Sequence, residues 1–197
     1  MVRIAILASG SGSNARQIMA HFSGSPLAQV ALVGCDQPGA GVLQRAWDMG
    51  VPSFLFSPAE LRDGTLQHEL ASAGINLLLL AGFMRLLPPE LVRAWPGRIL
   101  NIHPSLLPKY GGKGMYGHRV HQAVLIAGEK ESGITIHLVN ERYDEGKVLF
   151  QAKCPVLPGD DADTLAARIH ALEHAHYPAV VEDYLKELRS APPLPHV

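Results

Sequence analysis

A chain of 197 residues, 47% hydrophobic and 18% charged, is long enough for one domain with a substantial core and too apolar to be disordered. Its formal charge of −1 excludes a generally basic surface of the kind that binds nucleic acid. Its two cysteines, Cys35 and Cys154, stand in apolar strand-like segments, which excludes a disulfide framework and fits buried, reduced thiols.

In chain order, Val2–Ala8 reads as a strand and Gly10–Ser13 as a turn, with a helix from about Asn14 to Phe22. Val30–Gly34 is a second strand, followed by Gly39, Gly41 and a helix through Met49. Pro52–Phe56 is a short strand, and Pro58–Ala73 a helical stretch weakened by Gly64. Ile75–Ala81 is a continuous apolar strand, as expected when both faces of a sheet are covered. Pro88–Ala94 is a short helix with proline at its start, and Ile99–Ile102 the fifth strand. Gly111–Gly117 is an irregular glycine-rich loop and Val120–Ala127 a helix. Gly133–Asn140 and Lys147–Lys153 read as an antiparallel hairpin around a turn at Tyr143–Gly146. Asp161–Leu188 is helical, with a break expected before Pro178.

Alternating strands and helices predict an α/β, Rossmann-like fold: a mostly parallel twisted sheet, helices on both faces, and an antiparallel hairpin toward the C-terminal part. One domain is expected over residues 1–190, with a proline-rich tail over 191–197. Val2–Ala8 is too short for a signal-peptide core, and Ile75–Met84 too short to span a bilayer. These readings place the protein in the cytoplasm, with no membrane or nucleic-acid partner.

The segment Asn101-Ile-His-Pro-Ser-Leu-Leu-Pro108 stands at the end of the fifth strand. Alternation puts Asn101 and His103 on one face, two residues apart. An uncharged donor and an imidazole so placed can hold a carbonyl oxygen as it becomes an oxyanion and move a proton. Asp144 lies in the hairpin turn. If that turn folds toward Asn101 and His103, its carboxylate favours imidazolium and raises the histidine pKa.

Gly10-Ser-Gly-Ser-Asn-Ala15 fits G-x-G-x-x-G/A between a strand and a helix. With Asp36 ending the second strand, a dinucleotide is one reading; a single phosphate monoester on the helix N-terminus is another, and a ligand-free turn a third. His170-Ala-Leu-Glu173-His174 matches H-x-x-E-H, a zinc-peptidase pattern, and His118 and His121 lie within one helical turn. No third ligand is evident downstream, so no metal is expected.

Together, Ser9-Gly10-Ser11-Gly12-Ser13-Asn14, Leu80-Ala-Gly-Phe-Met-Arg85, Asn101–Pro108, Asp144 and Glu173-His-Ala-His-Tyr-Pro178 resemble the folate-dependent formyltransferases over nearly the whole chain. The resemblance implies formyl transfer from 10-formyltetrahydrofolate, the co-substrate, to the amine of glycinamide ribonucleotide in purine biosynthesis. It makes Asn101, His103 and Asp144 catalytic. It assigns Gly12, Ser13 and Asn14 to the nucleotide phosphate and Glu173 to its ribose. Arg62, Met84, Arg85, Leu86 and Leu87, with Asn101, would meet the folate. The partners are these two small molecules, and the assembly a monomer or homodimer. A formyltetrahydrofolate hydrolase and an NAD-binding oxidoreductase are the alternative functions.

Overall fold

The structure, a computed structural model, describes residues 1–190; the expected tail over 191–197 lies outside them. In chain order the elements are β1 (Val2–Ala8), α1 (Ser13–His21), β2 (Ala28–Cys35), α2 (Gly41–Asp48), β3 (Ser53–Leu55), α3 (Pro58–Arg62) and α4 (Thr65–Ser72). There follow β4 (Leu77–Leu80), α5 (Pro89–Ala94), β5 (Ile99–His103), α6 (His118–Ile126), β6 (Glu131–Leu138), β7 (Val148–Pro155) and α7 (Ala162–Ser190). The strands form one sheet in the order β3-β2-β1-β4-β5-β6-β7. β1 to β5 run parallel; β6 and β7 are antiparallel to their neighbours. The predicted mixed α/β sheet is therefore the one observed.

Alternation builds two core layers from single strands. Leu77 and Leu79 of β4 face one layer with Ile4 and Ile6 of β1; Leu78 and Leu80 face the other with Ala5 and Leu7. α1, α2, α6 and α7 cover the first layer, α3 to α5 the second. The chain leaves β1 toward β2 on one side and β4 on the other, so a crevice opens at the carboxyl ends of β1 and β4.

Two expectations need correction. Pro58–Ala73 is two helices, because Gly64 adopts φ +89° and ends the first run. Conversely, α7 does not break before Pro178 but continues through it. Leu165, Ile169, Tyr177, Val181 and Leu185 form one buried i, i+4 row on both sides of the proline. Burial of such side chains contributes about 1.5–3 kcal/mol each, which outweighs the roughly 3 kcal/mol that an interior proline costs. The Tyr177 hydroxyl is further anchored between the Leu80 and Leu100 carbonyls, at 3.1 and 3.2 Å. Cys35 and Cys154 are free and buried. Among the described residues no helix is long and apolar enough to cross a membrane.

Candidate active site

After β1 the chain turns through Ser9–Gly12 into α1. Gly12 has φ +77°, and a Cβ there would stand 2.6 Å from the Val42 Cα of α2. The turn is braced on α2 by Val42 N–H to the Gly10 carbonyl (3.2 Å) and Arg45 Nε–H to the Ser11 carbonyl (2.8 Å). No side chain caps α1 and its first turn carries no acid, which leaves its leading N–H groups without a side-chain acceptor or an opposing charge. Gly12→Val is expected to destabilise the fold by about 2 kcal/mol or more, through the clash on α2 and the strained φ. Thermal melts check this. An unchanged melting temperature would mean that the turn can move away from α2.

Asn14 Nδ2 donates to Glu173 Oε2 at 2.8 Å, and both side chains are buried. Burial pushes the Glu173 carboxyl above the usual range, against the opposing pull of Asn14 and His170. Asn14 Oδ1 is buried and without a hydrogen-bond partner. A cavity of about 190 Å³ lies here, lined by Gly12, Ser13, Asn14, His121, His170 and Glu173 among others. It meets a second cavity, of about 360 Å³, across shared walls at Gly82, Met84, Ile102 and Pro104. Met84, Arg85, Leu86, Leu87, Asn101, His103 and Asp144 line that larger cavity.

Asn101 and His103 project from the end of β5, on the face opposite the core residues Leu100 and Ile102. β6 pairs antiparallel, placing His137 opposite Asn101 and Thr135 opposite His103. Asn101 Nδ2 and His137 Nε2 are 3.1 Å apart. His137 Nδ1 donates to the Leu138 carbonyl at 2.9 Å, which leaves Nε2 to accept from Asn101 and fixes the Asn101 amide. Thr135 is fully buried. Its hydroxyl donates to the Ser105 carbonyl and accepts from Leu107 N–H and Gln151 Nε2, holding the loop after β5.

His103 Nε2 donates to the Tyr110 carbonyl at 2.8 Å, because a carbonyl only accepts. The proton that titrates is therefore on Nδ1. Asp144, at φ +54° in the hairpin turn, sets Oδ2 3.7 Å from that Nδ1 and Oδ1 3.6 Å from His137 Nε2. Gly112 N–H, from the glycine-rich loop, donates to Asp144 Oδ2 at 2.8 Å. Burial pushes Asp144 up, but His137, His103 and the Gly112 N–H outweigh it, so the carboxylate stays ionised.

The expected upward shift of His103 is overturned. Burial depresses its pKa more than Asp144 and the Tyr110 carbonyl raise it, and His137 adds to the depression. His103 rests neutral near pH 7.

The other candidates divide. Arg62 is not brought to the larger cavity; it lines a separate one with Gln67, His68, Pro88 and Glu90. Asp36, the candidate ribose acid of a dinucleotide site, accepts from Arg85 and Gln37 through Oδ2, while Oδ1 is buried without a hydrogen-bond partner. Glu173 turns to Asn14, and the His170 and His174 rings stack 6.3 Å apart. Among the described residues no cluster of three or more His, Cys, Asp and Glu could hold a metal. His137 and Thr135 escaped the sequence reading. Their signal was the polar pair Thr135-Ile-His137, which mirrors Asn101-Ile-His103, but its meaning depends on strand register.

His121 is buried with Nδ1 unpartnered, and burial with His170, His118 and His103 nearby lowers its pKa from 6.5 to about 4. The unfolded chain takes up this proton below pH 6.5 while the native one stays neutral, so stability falls as pH drops through that window. The expected loss is about 3 kcal/mol by pH 4. Urea titrations at pH 7 and pH 4.5 check this: His121→Gln should flatten the pH dependence, and an unaltered slope would remove His121 as its source.

The sequence profile of the formyl transferase family matches residues 2–181, and the chain, with its seven-stranded mixed sheet, belongs to that family. It is 44% identical over 186 residues to the chloroplastic phosphoribosylglycinamide formyltransferase of Arabidopsis thaliana, covering 91% of this chain and 64% of that protein, so it spans less than two thirds of that relative. The phosphoribosylglycinamide formyltransferase of Bacillus subtilis (strain 168) is 37% identical, over 94% of this chain and 95% of its own. The solved structure of glycinamide ribonucleotide transformylase 1 from Geobacillus kaustophilus superposes with a TM-score of 0.85 at 41% identity, covering 94% and 99% of the two chains.

Proposed function

We propose that this protein transfers the formyl group of 10-formyltetrahydrofolate to the amine of glycinamide ribonucleotide, a step of purine biosynthesis, and that residues 1–190 form a single formyltransferase domain. The observation that carries the reading is the junction of the two cavities. An anion-binding helix terminus with Asn14 and Glu173 lines one, and Asn101, His103 and Asp144 stand in the wall of the other. The relatives are named as formyltransferases of the same acceptor, which supports the reading.

In this reading the α1 N-terminus and Ser13 hold the nucleotide phosphate. Asn14 Oδ1 and Glu173 take ribose hydroxyls. The folate lies along Met84–Leu87. Holding amine and formyl carbon together removes much of the entropic barrier. The amine nitrogen attacks the formyl carbon and a tetrahedral oxyanion forms. Asn101, its amide aimed by His137, donates to that oxygen. The amine proton passes to His103 Nδ1, directly or through one water, and Asp144 stabilises the imidazolium as it forms. The bond from the formyl carbon to the folate nitrogen then breaks and that nitrogen receives the proton. The product is the formylated nucleotide and tetrahydrofolate.

The test incubates the enzyme with 10-formyltetrahydrofolate, with and without glycinamide ribonucleotide. Tetrahydrofolate release that depends on the nucleotide, matched by formylated nucleotide, is expected. Equal release in both tubes would mark a hydrolase and end the transferase reading. NADH binding without nucleotide binding would favour an oxidoreductase.

A further inference from the structure

The reaction scheme leaves one buried acid unused. Asp36 follows β2 at the carboxyl edge of the sheet, and its side chain is 1% exposed. Oδ2 accepts from Arg85 Nε at 2.5 Å and from Gln37 Nε2 at 3.0 Å. Burial pushes its pKa up, but Ser9, Gln37 and Arg85 outweigh that and hold it below the usual carboxylate range. The buried Asp36 charge has one cationic partner, and removing Arg85 would strand it.

Arg85 belongs to the segment Gly82–Leu87, which carries no helix or strand and forms a wall of the larger cavity. Besides the Arg85–Asp36 pair, two bonds fasten this segment to the end of β1. Ser9 N–H donates to the Gly82 carbonyl at 3.1 Å, and Met84 N–H donates to Ser9 Oγ at 3.1 Å. The Arg85 guanidinium reaches Asp36 through Nε, with its side chain 35% exposed at the cavity wall.

On the footing of the proposed formyl transfer, we propose that Asp36 is a positioning residue for the folate. Through Arg85 it fixes the Gly82–Leu87 wall and so sets folate affinity, without touching the reacting atoms.

The test uses the whole protein as wild type, Asp36→Asn, Arg85→Gln and the double variant. Steady-state kinetics with both substrates, calorimetric titration with tetrahydrofolate, and hydrogen exchange over 82–87 and 10–14 are measured. Folate KM and tetrahydrofolate Kd are expected to rise about tenfold in each single variant, with kcat and nucleotide KM within about threefold. The double variant should be no more than about twofold worse than either single, because both cut one strut. Exchange should quicken over 82–87 and not over 10–14.

An unchanged folate Kd in Asp36→Asn overturns the proposal. So do losses that multiply in the double variant, which would put Arg85 on the ligand independently of Asp36, and equal rises in both KM values. If Asp36→Asn does not fold, Arg85→Gln decides alone: unaltered exchange over 82–87 overturns the strut. A wild type that binds tetrahydrofolate but transfers no formyl group overturns the proposed reaction, while the Kd series still decides the role of Asp36. A wild type that binds no folate overturns both.

Discussion

His103→Ala and Asn101→Ala are each expected to lower kcat by roughly 100-fold or more, the scale for a lost proton carrier or oxyanion donor. In the proposed reaction both groups act on charge that exists only as the tetrahedral intermediate forms, so KM for either substrate should move little. The two losses have different physical sources. His103 supplies Nδ1, which is free because Nε2 is held by the Tyr110 carbonyl. Asn101 supplies an amide N–H, and its orientation depends on His137 at 3.1 Å. His137→Ala should therefore reproduce part of the Asn101 loss, again in kcat. Steady-state kinetics on the three variants are the check. A kcat loss below tenfold in His103→Ala would remove it from the proton path.

Asp144→Asn is expected to cost about 10- to 100-fold in kcat while preserving the bond from Gly112 N–H, since the asparagine oxygen still accepts it. The sign of the pH effect follows from the geometry. Asp144 raises the His103 pKa, although burial outweighs it. Removing the carboxylate lowers that pKa further. The acidic limb of kcat/KM, where the proposed scheme needs His103 neutral to accept the amine proton, should then move to lower pH. Because the pair acts as a unit, His103→Ala/Asp144→Asn should be little worse than His103→Ala alone. Fully additive losses, or an acidic limb that stays in place, would mean that Asp144 works only by ordering the hairpin turn.

The polar cluster also shows how a reading from single strands falls short. Alternation placed Asn101 and His103 together, and the glycine-rich segment after β1 was legible as a tight strand-to-helix turn. These are properties of a few consecutive residues. His137 and Thr135 were equally regular in sequence, two residues apart on one strand. Their position opposite Asn101 and His103 is a matter of antiparallel register. A one-residue slip would turn both to the other face.

The same division holds for the fold. The four leucines of β4, the strand-turn-helix at residues 2–22 and the glycine at 64 are local signals, and the chain by itself determined the mixed α/β architecture from them. The tertiary structure alone decided the rest. It carried α7 through Pro178, because a buried row on both sides outweighs the proline's cost. It left Arg62 outside the cavity lined by Asn101 and His103 and gave Asp36 to Arg85. It brought Asp144 within 3.7 Å of His103 and still left the histidine pKa depressed. Each outcome is a balance of burial and charge among groups distant in sequence. Local pattern sets which face a side chain takes; desolvation and partners, which the packed chain alone supplies, set what that side chain does there.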